Sequence, residues 1–246
     1  MSHPQLAWGL QVLDRLELSG GERVLDAGCG TGRVTEELVR RLPRGHVVAV
    51  DISPAMIHEA SHRLAEYGER VEVLQADLLR PLTTRPLFDA VFSTATFQWI
   101  RDQDTLFANL AAGIRPEGHL VAQWGGSGNI ATIVSALELM GEPVDDTYFA
   151  SPDETIHRLS GAGFCDITAW LNPEPTLFDT YEELEVYLEA IVLRQYVARR
   201  AQAQGKAFVR QVASRLPRPE IDYVRLNVAV RKQEDGRPSD NRGKIL

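Results

Sequence analysis

Residues 23–32 read Arg-Val-Leu-Asp-Ala-Gly-Cys-Gly-Thr-Gly, and the predicted fold is built around them. Val24 and Leu25 form a short apolar run that predicts a buried strand, which Asp26 ends. Three glycines then alternate with other residues, at Gly28, Gly30 and Gly32. They predict a tight turn into a helix over residues 33–41. Because glycine has no Cβ, a ligand can lie directly against the peptide groups of such a turn. The stretch therefore predicts a binding loop between a strand and a helix.

Two common glycine-rich loops do not fit this stretch. A dinucleotide fingerprint needs Gly-x-Gly-x-x-Gly or Ala, and starting it at Gly28 puts Arg33 in the last position. Starting it at Gly30 puts Thr35 there. A phosphate loop would need Gly-Lys-Ser or Gly-Lys-Thr, and neither tripeptide follows. The mismatch at Arg33 argues against an NAD-dependent oxidoreductase.

The remaining pattern, Asp-x-Gly-x-Gly-x-Gly, resembles the S-adenosylmethionine loop of class I methyltransferases. That ligand carries an ammonium, a sulfonium and a ribose but no phosphate, so an acid ahead of the loop is electrostatically favourable. The resemblance implies S-adenosylmethionine as the cofactor. It also implies that Asp26 and the three glycines bind it.

The next strand ends in a second acid. Residues 46–50 form a continuous apolar run, typical of a central parallel strand that is covered on both faces. Asp51 follows, about 20 residues after the loop, where an acid is placed to accept hydrogen bonds from both ribose hydroxyls. Asp51 could instead cap the next helix, but Ser53, just before Pro54, is better placed to do so. We therefore predict that Asp51 and its neighbour Ile52 bind the cofactor.

Asp77 follows a third strand over residues 71–74. It could accept a hydrogen bond from the adenine amino group, with Leu78 beside it, or merely start a turn toward Pro81. We favour the adenine role, because the loop, Asp51 and Asp77 fall at three successive strand ends. A fourth strand over residues 87–93 brings its last residue, Ser93, to the same predicted cofactor site.

The order of elements predicts an α/β fold with a doubly wound, seven-stranded, mostly parallel sheet that is Rossmann-like. The last strand, residues 221–231, alternates apolar and polar residues and is expected at the sheet edge, antiparallel to its neighbour. We predict a single domain over residues 1–231, with a helical lid insertion at residues 172–220 that includes one helix over residues 181–202. Residues 232–246 are expected to form a polar, mobile tail.

Residues 58–62, His-Glu-Ala-Ser-His, match a zinc-peptidase pattern. On a helical wheel, however, His58 and His62 point away from the apolar face. A catalytic zinc also needs a third protein ligand and a cleft. We therefore expect no metal site.

The residues after the fourth strand decide the acceptor. This chain has neither an Asn- or Asp-Pro-Pro-aromatic turn nor a magnesium-binding aspartate there, and instead reads Phe-Gln-Trp-Ile over residues 97–100. In one interpretation, Phe97 and Trp99 pack under the next helix. In the other, Gln98 and Trp99 form a wall of the acceptor pocket. We predict the latter role for Gln98 and Trp99.

The motifs Asp51-Ile-Ser-Pro-Ala-Met, Ala76-Asp-Leu, Phe88-Asp-Ala-Val-Phe-Ser and Phe97-Gln-Trp-Ile resemble the trans-aconitate methyltransferase group. The similarity is good over about half the chain, and the segment before residues 4–9 is shorter than is usual in that group. The resemblance implies a small-molecule acceptor, often a carboxylate.

A carboxylate acceptor is ionised at neutral pH, so direct displacement at the sulfonium methyl needs no general base. Arg194, in the predicted lid, could pair with that carboxylate, or it could be solvated or paired with Glu189. A carbon or hydroxyl methyltransferase would instead need a base, for which His157 is a candidate. A nonenzymatic protein that binds the cofactor and regulates a partner stays a further alternative.

Charge and cysteine content narrow the class of protein. The net charge is −8 and the pI is near 5.3, which argues against nucleic acid as the main partner. Cys29 and Cys165, the two cysteines, stand far apart and form neither a disulfide framework nor a four-thiolate site. We expect a cytoplasmic protein without membrane spans. The sequence leaves its oligomeric state open.

Overall fold

The computed structural model describes residues 4–82, 87–144, 147–234 and 244–245. Its helices are α1 (Pro4–Leu13), α2 (Arg33–Arg41), α3 (Pro54–Leu64), α4 (Gln103–Gly113), α5 (Ala131–Leu139), α6 (Pro152–Gly161), α7 (Tyr181–Tyr187), α8 (Arg194–Ala198) and α9 (Gln202–Ala213). Its strands are β1 (Arg23–Ala27), β2 (His46–Asp51), β3 (Val71–Gln75), β4 (Phe88–Thr94), β5 (Ile114–Gly125), β6 (Phe164–Pro173), β7 (Thr176–Leu177), β8 (Glu220–Ile221), β9 (Val224–Lys232) and β10 (Lys244–Ile245). Short 3-10 helices cover Ala65–Arg70 and Phe97–Trp99, and a π-helical turn covers Leu188–Val192.

The chain divides into two compact units. Unit 1 comprises Met1–Ser127, Tyr148–Asn172 and Arg225–Leu246, and unit 2 comprises Gly128–Thr147 and Pro173–Val224. Unit 2 contains almost all of the insertion expected from the sequence and adds the segment around α5. Its role as a lid stays a prediction. None of the helices in the described ranges has the length and apolar composition needed to cross a bilayer.

The sheet of unit 1 has the order β10-β6-β9-β5-β4-β1-β2-β3. The central pairs β4–β5, β4–β1, β1–β2 and β2–β3 are parallel, and β9 is antiparallel to β5. The predicted seven-stranded, mostly parallel, doubly wound sheet is thereby confirmed.

The two-residue strand β10 adds an eighth strand beside β6, with Lys244 paired to Thr168. The expectation of a wholly mobile tail is therefore wrong at these two residues, whose backbone finds a partner at the sheet edge. Lys232 also belongs to β9 rather than to the tail. Of the other predicted tail residues, 235–243 and 246 lie outside the described residues.

Helices cover both faces of this sheet. Successive residues of β2 point to opposite faces, and both Val47 and Val48 are fully buried. Val48 belongs to a core that includes Phe107 of α4, whereas Val47 belongs to a core that includes Leu38 of α2. Burial on both faces explains why the central strands are apolar without alternation.

The single helix predicted over residues 181–202 is wrong. The structure has α7, the π-helical turn and α8 in its place. Leu188 and Leu193, both fully buried, are five residues apart, which an α-helix would place on different faces. The π-helical turn, in which the amide of Leu193 donates to the carbonyl of Leu188 at 2.7 Å, brings them to one side.

Candidate functional site

The glycine loop, residues 28–32, lies at the carboxyl end of β1. The amides of Gly28 and Cys29 both donate to the carbonyl of Val50, at 2.8 and 2.9 Å, and fasten the loop to the end of β2. Gly28, Gly30 and Gly32 have φ angles of 89°, 54° and 76°. Any residue with a Cβ would be strained in these conformations, so the local backbone requires all three glycines.

The three glycines face different surroundings. A Cβ on Gly28 would lie 2.1 Å from Oγ1 of Thr96, and a Cβ on Gly32 would lie 3.3 Å from Cα of Ala60 in α3. A Cβ on Gly30 would meet no atom of the described chain within 4 Å. The sequence analysis did not distinguish the three glycines, but in the structure Gly30, which is partly buried, is the one with open space on its Cβ side.

Asp51 lies directly beside Gly30. Its Oδ2 accepts from the amide of Gly30 at 3.0 Å, and its Oδ1 accepts from the amide of Ser53 at 2.9 Å. Each carboxylate oxygen has a second lone pair that a ligand hydroxyl can use. The Ser53 side chain accepts from the amide of Met56 and caps α3, as predicted. Ile52, with 64% of its surface exposed, adjoins the carboxylate.

Asp26 lies beneath the loop, with only 2% of its surface exposed. Thr35 of α2 donates its hydroxyl to Oδ2 of Asp26 at 2.7 Å. Burial raises the pKa of Asp26 to about 7, the Thr35 hydrogen bond opposes this rise, and the charge of Asp51 adds to it. The predicted contact of Asp26 with the cofactor stays a prediction, and the structure gives this carboxylate an internal partner.

Ser93 and Cys29 are also internal. Ser93 is buried and donates its hydroxyl to the carbonyl of Ala27 at 2.6 Å, which ties β4 to β1. The contact predicted between Ser93 and the cofactor stays a prediction. Burial, together with the charges of Asp26 and Asp51, raises the pKa of the Cys29 thiol above its usual range. Cys29 is therefore an unreactive thiol in this position.

Asp77 follows β3, at the same carboxyl edge as the loop and Asp51, because β1, β2 and β3 are adjacent. Its Oδ1 accepts from the amide of Leu79 at 2.9 Å, and its carbonyl accepts from the amide of Arg80. The turn weighed as an alternative to the adenine role is therefore present. Leu78 is buried, and its carbonyl accepts from the side chain of Asn109 at 3.0 Å. The adenine contacts of Asp77 and Leu78 stay predictions.

The 95–99 turn, residues Ala-Thr-Phe-Gln-Trp, follows β4 at the same edge. Phe97 is fully buried, and its ring lies 5.9 Å from that of Phe107 and 5.2 Å from that of Trp124. Trp99, by contrast, exposes 55% of its surface. Of the two aromatic residues, Phe97 belongs to the core and Trp99 remains available to a ligand.

Gln98 is nearly buried, with 8% of its surface exposed. Its side-chain amide donates to the carbonyl of Ala95 at 2.8 Å and accepts from the amide of Gly125 at 3.4 Å. The backbone carbonyl of Gln98 accepts from the amide of Tyr148 at 2.8 Å. The structure thus shows Gln98 holding the turn, and its predicted contact with the acceptor stays a prediction.

Arg194 is the first residue of α8 in unit 2 and is exposed. Its pairing with an acceptor carboxylate stays a prediction. His58 and His62 are exposed on α3, with their ring centroids 4.7 Å apart. Over the described ranges, three or more His, Cys, Asp or Glu side chains nowhere converge as they would around a metal ion.

Sequence reasoning missed Thr96, which lies against Gly28 although the two residues are 68 positions apart. Its hydroxyl is 3.2 Å from the carbonyl of Gly28. A polar residue after a strand gives no local signal of such a contact. The sequence therefore identified the elements of the site better than the contacts between them.

Three comparisons with known proteins found chains similar to this one. A family model described as a methyltransferase domain matches residues 24–118. An uncharacterized methyltransferase of Schizosaccharomyces pombe is 32% identical, over 62% of this chain and 63% of its own length. A trans-aconitate 2-methyltransferase of Methylobacterium nodulans is 31% identical, over 72% of this chain and 66% of its own length. The chain thus spans slightly less than two thirds of these two relatives.

A solved structure of phosphoethanolamine N-methyltransferase 2 of Haemonchus contortus, in complex with phosphomonomethylethanolamine and S-adenosylhomocysteine, has a similar fold. The TM-score is 0.63 at 22% identity, and the match covers 93% of this chain and 53% of that chain. This likeness concerns the fold alone. The sequence matches identify a methyltransferase domain at residues 24–118, and the chain resembles the class I S-adenosylmethionine-dependent methyltransferases and, among them, the trans-aconitate methyltransferase group.

Proposed function

We propose that the protein methylates a carboxylate oxygen of a small molecule, with S-adenosylmethionine as the donor. The observation that carries the acceptor class is the 95–99 turn, whose five residues include no titratable side chain and which exposes Trp99. A hydroxyl or carbon acceptor must lose a proton, whereas a carboxylate is already ionised at neutral pH. The turn therefore suits an acceptor that arrives as an anion.

The residues of the loop fit the cofactor of this family. Gly30 offers an open peptide surface, and the Asp51 carboxylate has lone pairs for two hydroxyls. Asp26 and Asp51 are close enough for their charges to interact. Two nearby acids favour a ligand with a sulfonium and an ammonium over one with a pyrophosphate. These features support S-adenosylmethionine and argue against a dinucleotide.

S-adenosylmethionine, when bound, supplies a methyl group whose bond to sulfur breaks as the acceptor oxygen bonds to it, which leaves S-adenosylhomocysteine. In this proposal Gly30, Asp51 and Asp77 hold the cofactor, while Trp99 forms a wall beside the acceptor. The roles predicted for Arg194, pairing with the acceptor carboxylate, and for the insertion at residues 172–220, excluding water, belong to this proposal as well. No residue of the chain needs to move a proton.

The relatives support the acceptor class only by name. The Methylobacterium nodulans protein is named for trans-aconitate, which is a carboxylic acid. The cytoplasmic location and the absence of nucleic acid or membrane partners, both expected from composition, belong to this proposal as well.

The test is a panel of small carboxylic acids incubated with methyl-labelled S-adenosylmethionine. A methyl ester is hydrolysed by mild alkali, so the proposal predicts labelled product whose label is released as volatile methanol. Label that resists alkali would instead show carbon or ether methylation, for which His157, exposed on α6, is the candidate base. Cofactor binding without label transfer to any acid would favour a nonenzymatic regulator.

A further inference from the structure

Thr96 joins the glycine loop to the 95–99 turn. Its Oγ1 lies 3.2 Å from the carbonyl oxygen of Gly28 and 3.0 Å from that of Thr94. Its side chain also fills the space that any side chain at position 28 would need, since a Cβ there would lie 2.1 Å from Oγ1. The glycine at position 28 is thus explained by Thr96 as well as by its backbone conformation.

Other contacts hold the turn against β5. Ala95 has a φ of 55°, which a non-glycine residue adopts only when its surroundings enforce it, and its amide donates to the carbonyl of Gln123 at 2.7 Å. Gln98 bridges Ala95 and Gly125, as described above. The amide of Trp99 donates to the carbonyl of Thr96 at 3.0 Å. The backbone of Thr96 therefore supports Trp99, while its side chain contacts the loop.

We propose that Thr96 is a positioning residue that couples cofactor binding at the glycine loop to the placement of Trp99. A hydroxyl carries one proton, so Thr96 must share it between the carbonyls of Gly28 and Thr94. A ligand that contacts the loop peptides changes how the hydroxyl is shared between these two carbonyls. The change reaches Trp99 through the hydrogen bond from its amide to the carbonyl of Thr96. The inference deepens the proposed function, on which it rests, because it concerns the same cofactor and acceptor.

The test compares Thr96→Val, which keeps the shape but removes the hydroxyl, with Thr96→Ser, which keeps the hydroxyl. Thr155→Val is the matched control, because the fully buried Thr155 in α6 also donates its hydroxyl to a backbone carbonyl, that of Ser151 at 2.8 Å. Three quantities are measured in each variant: the Kd of S-adenosylhomocysteine, the change in tryptophan fluorescence that it causes, and kcat and KM with the best acceptor. Loss of the fluorescence change in a Trp99→Phe variant would show that the change comes from Trp99.

We expect Thr96→Val to lose most of the ligand-induced fluorescence change and to lower kcat by about tenfold, with the Kd altered by less than about threefold. Thr96→Ser should recover both signals, and Thr155→Val should retain both. A wild-type response that does not come from Trp99, or a Thr96→Val variant with normal fluorescence and kcat, overturns the coupling. Equal losses in Thr96→Ser and Thr96→Val also overturn it, because the hydroxyl would then be irrelevant.

The fluorescence and binding measurements need only S-adenosylhomocysteine, which separates this inference from the proposed acceptor. If the wild type methylates none of the carboxylates tested but Trp99 still responds through Thr96, the acceptor class is wrong and the coupling stands. If carboxylates are methylated but the response is independent of Thr96, the coupling is wrong and the acceptor class stands.

Discussion

Gly30→Ala is the sharpest test of the glycine loop as the cofactor-binding surface. With a φ of 54°, an alanine here adopts the left-handed conformation, which costs about 1–2 kcal/mol. The new Cβ meets no described atom within 4 Å, so no clash within the described protein adds to this cost. For a chain of 246 residues the melting temperature should therefore fall by only about 2–8 °C.

The effect on cofactor affinity should be much larger than the effect on folding. The added methyl group occupies the space where we place the ligand, and overpacking of this kind costs about 1–3 kcal/mol. Calorimetric titration with S-adenosylhomocysteine should then show a Kd raised about 5- to 150-fold. Gly141→Ala is the matched control, since Gly141 has a φ of 69° and its Cβ would also meet no described atom within 4 Å.

Gly141→Ala should lower the melting temperature by a similar amount and leave the Kd unchanged. If Gly30→Ala bound S-adenosylhomocysteine within about twofold of the wild type, the ligand would not lie against Gly30. Equal loss of affinity in both variants would mean that stability, and not the loop surface, controls binding.

Asp51→Asn should raise the Kd of S-adenosylhomocysteine at least about tenfold, because it removes a charged acceptor. Asp89→Asn is the control, because the Asp89 carboxylate also accepts from a backbone amide, that of Arg23, and pairs with the Arg115 side chain. An equal rise of the Kd in both variants, measured by calorimetry, would contradict this prediction. Asp26 has a folded pKa near 7, above that of the unfolded chain, so its stabilising contribution is largest below about pH 4 and is lost as pH rises to 7. The free energy of unfolding, measured with urea, should decline by up to about 4 kcal/mol over this pH range in the wild type but not in Asp26→Asn. Parallel pH profiles of the two proteins would refute the assignment. Trp99→Ala should leave the Kd near normal and reduce kcat, whereas impaired binding with normal kcat would make Trp99 structural.

Local sequence signals were enough to predict the sheet and the acid that ends β2. The apolar run over residues 46–50 and the glycines before residue 33 report burial and turn geometry directly, because strand period and glycine content are local properties. The distinction between Asp51 at the strand end and Ser53 as the helix cap was also local, and the hydrogen bonds of Ser53 confirm it.

Contacts between distant residues were not predictable in the same way. Gly30 differs from its neighbouring glycines only because Thr96 and Ala60 occupy the space beside the other two. Likewise, the break between α7 and α8 depends on burying both Leu188 and Leu193, which an uninterrupted helical pattern does not reveal. These features follow from tertiary packing, which overrides local preference.

A crystal structure of the protein with S-adenosylhomocysteine would locate the cofactor relative to the glycine loop. We expect the ligand to lie against the open side of Gly30, with its ribose hydroxyls about 3 Å from the Asp51 carboxylate. A ligand bound elsewhere, with Gly30 and Asp51 left untouched, would contradict this expectation.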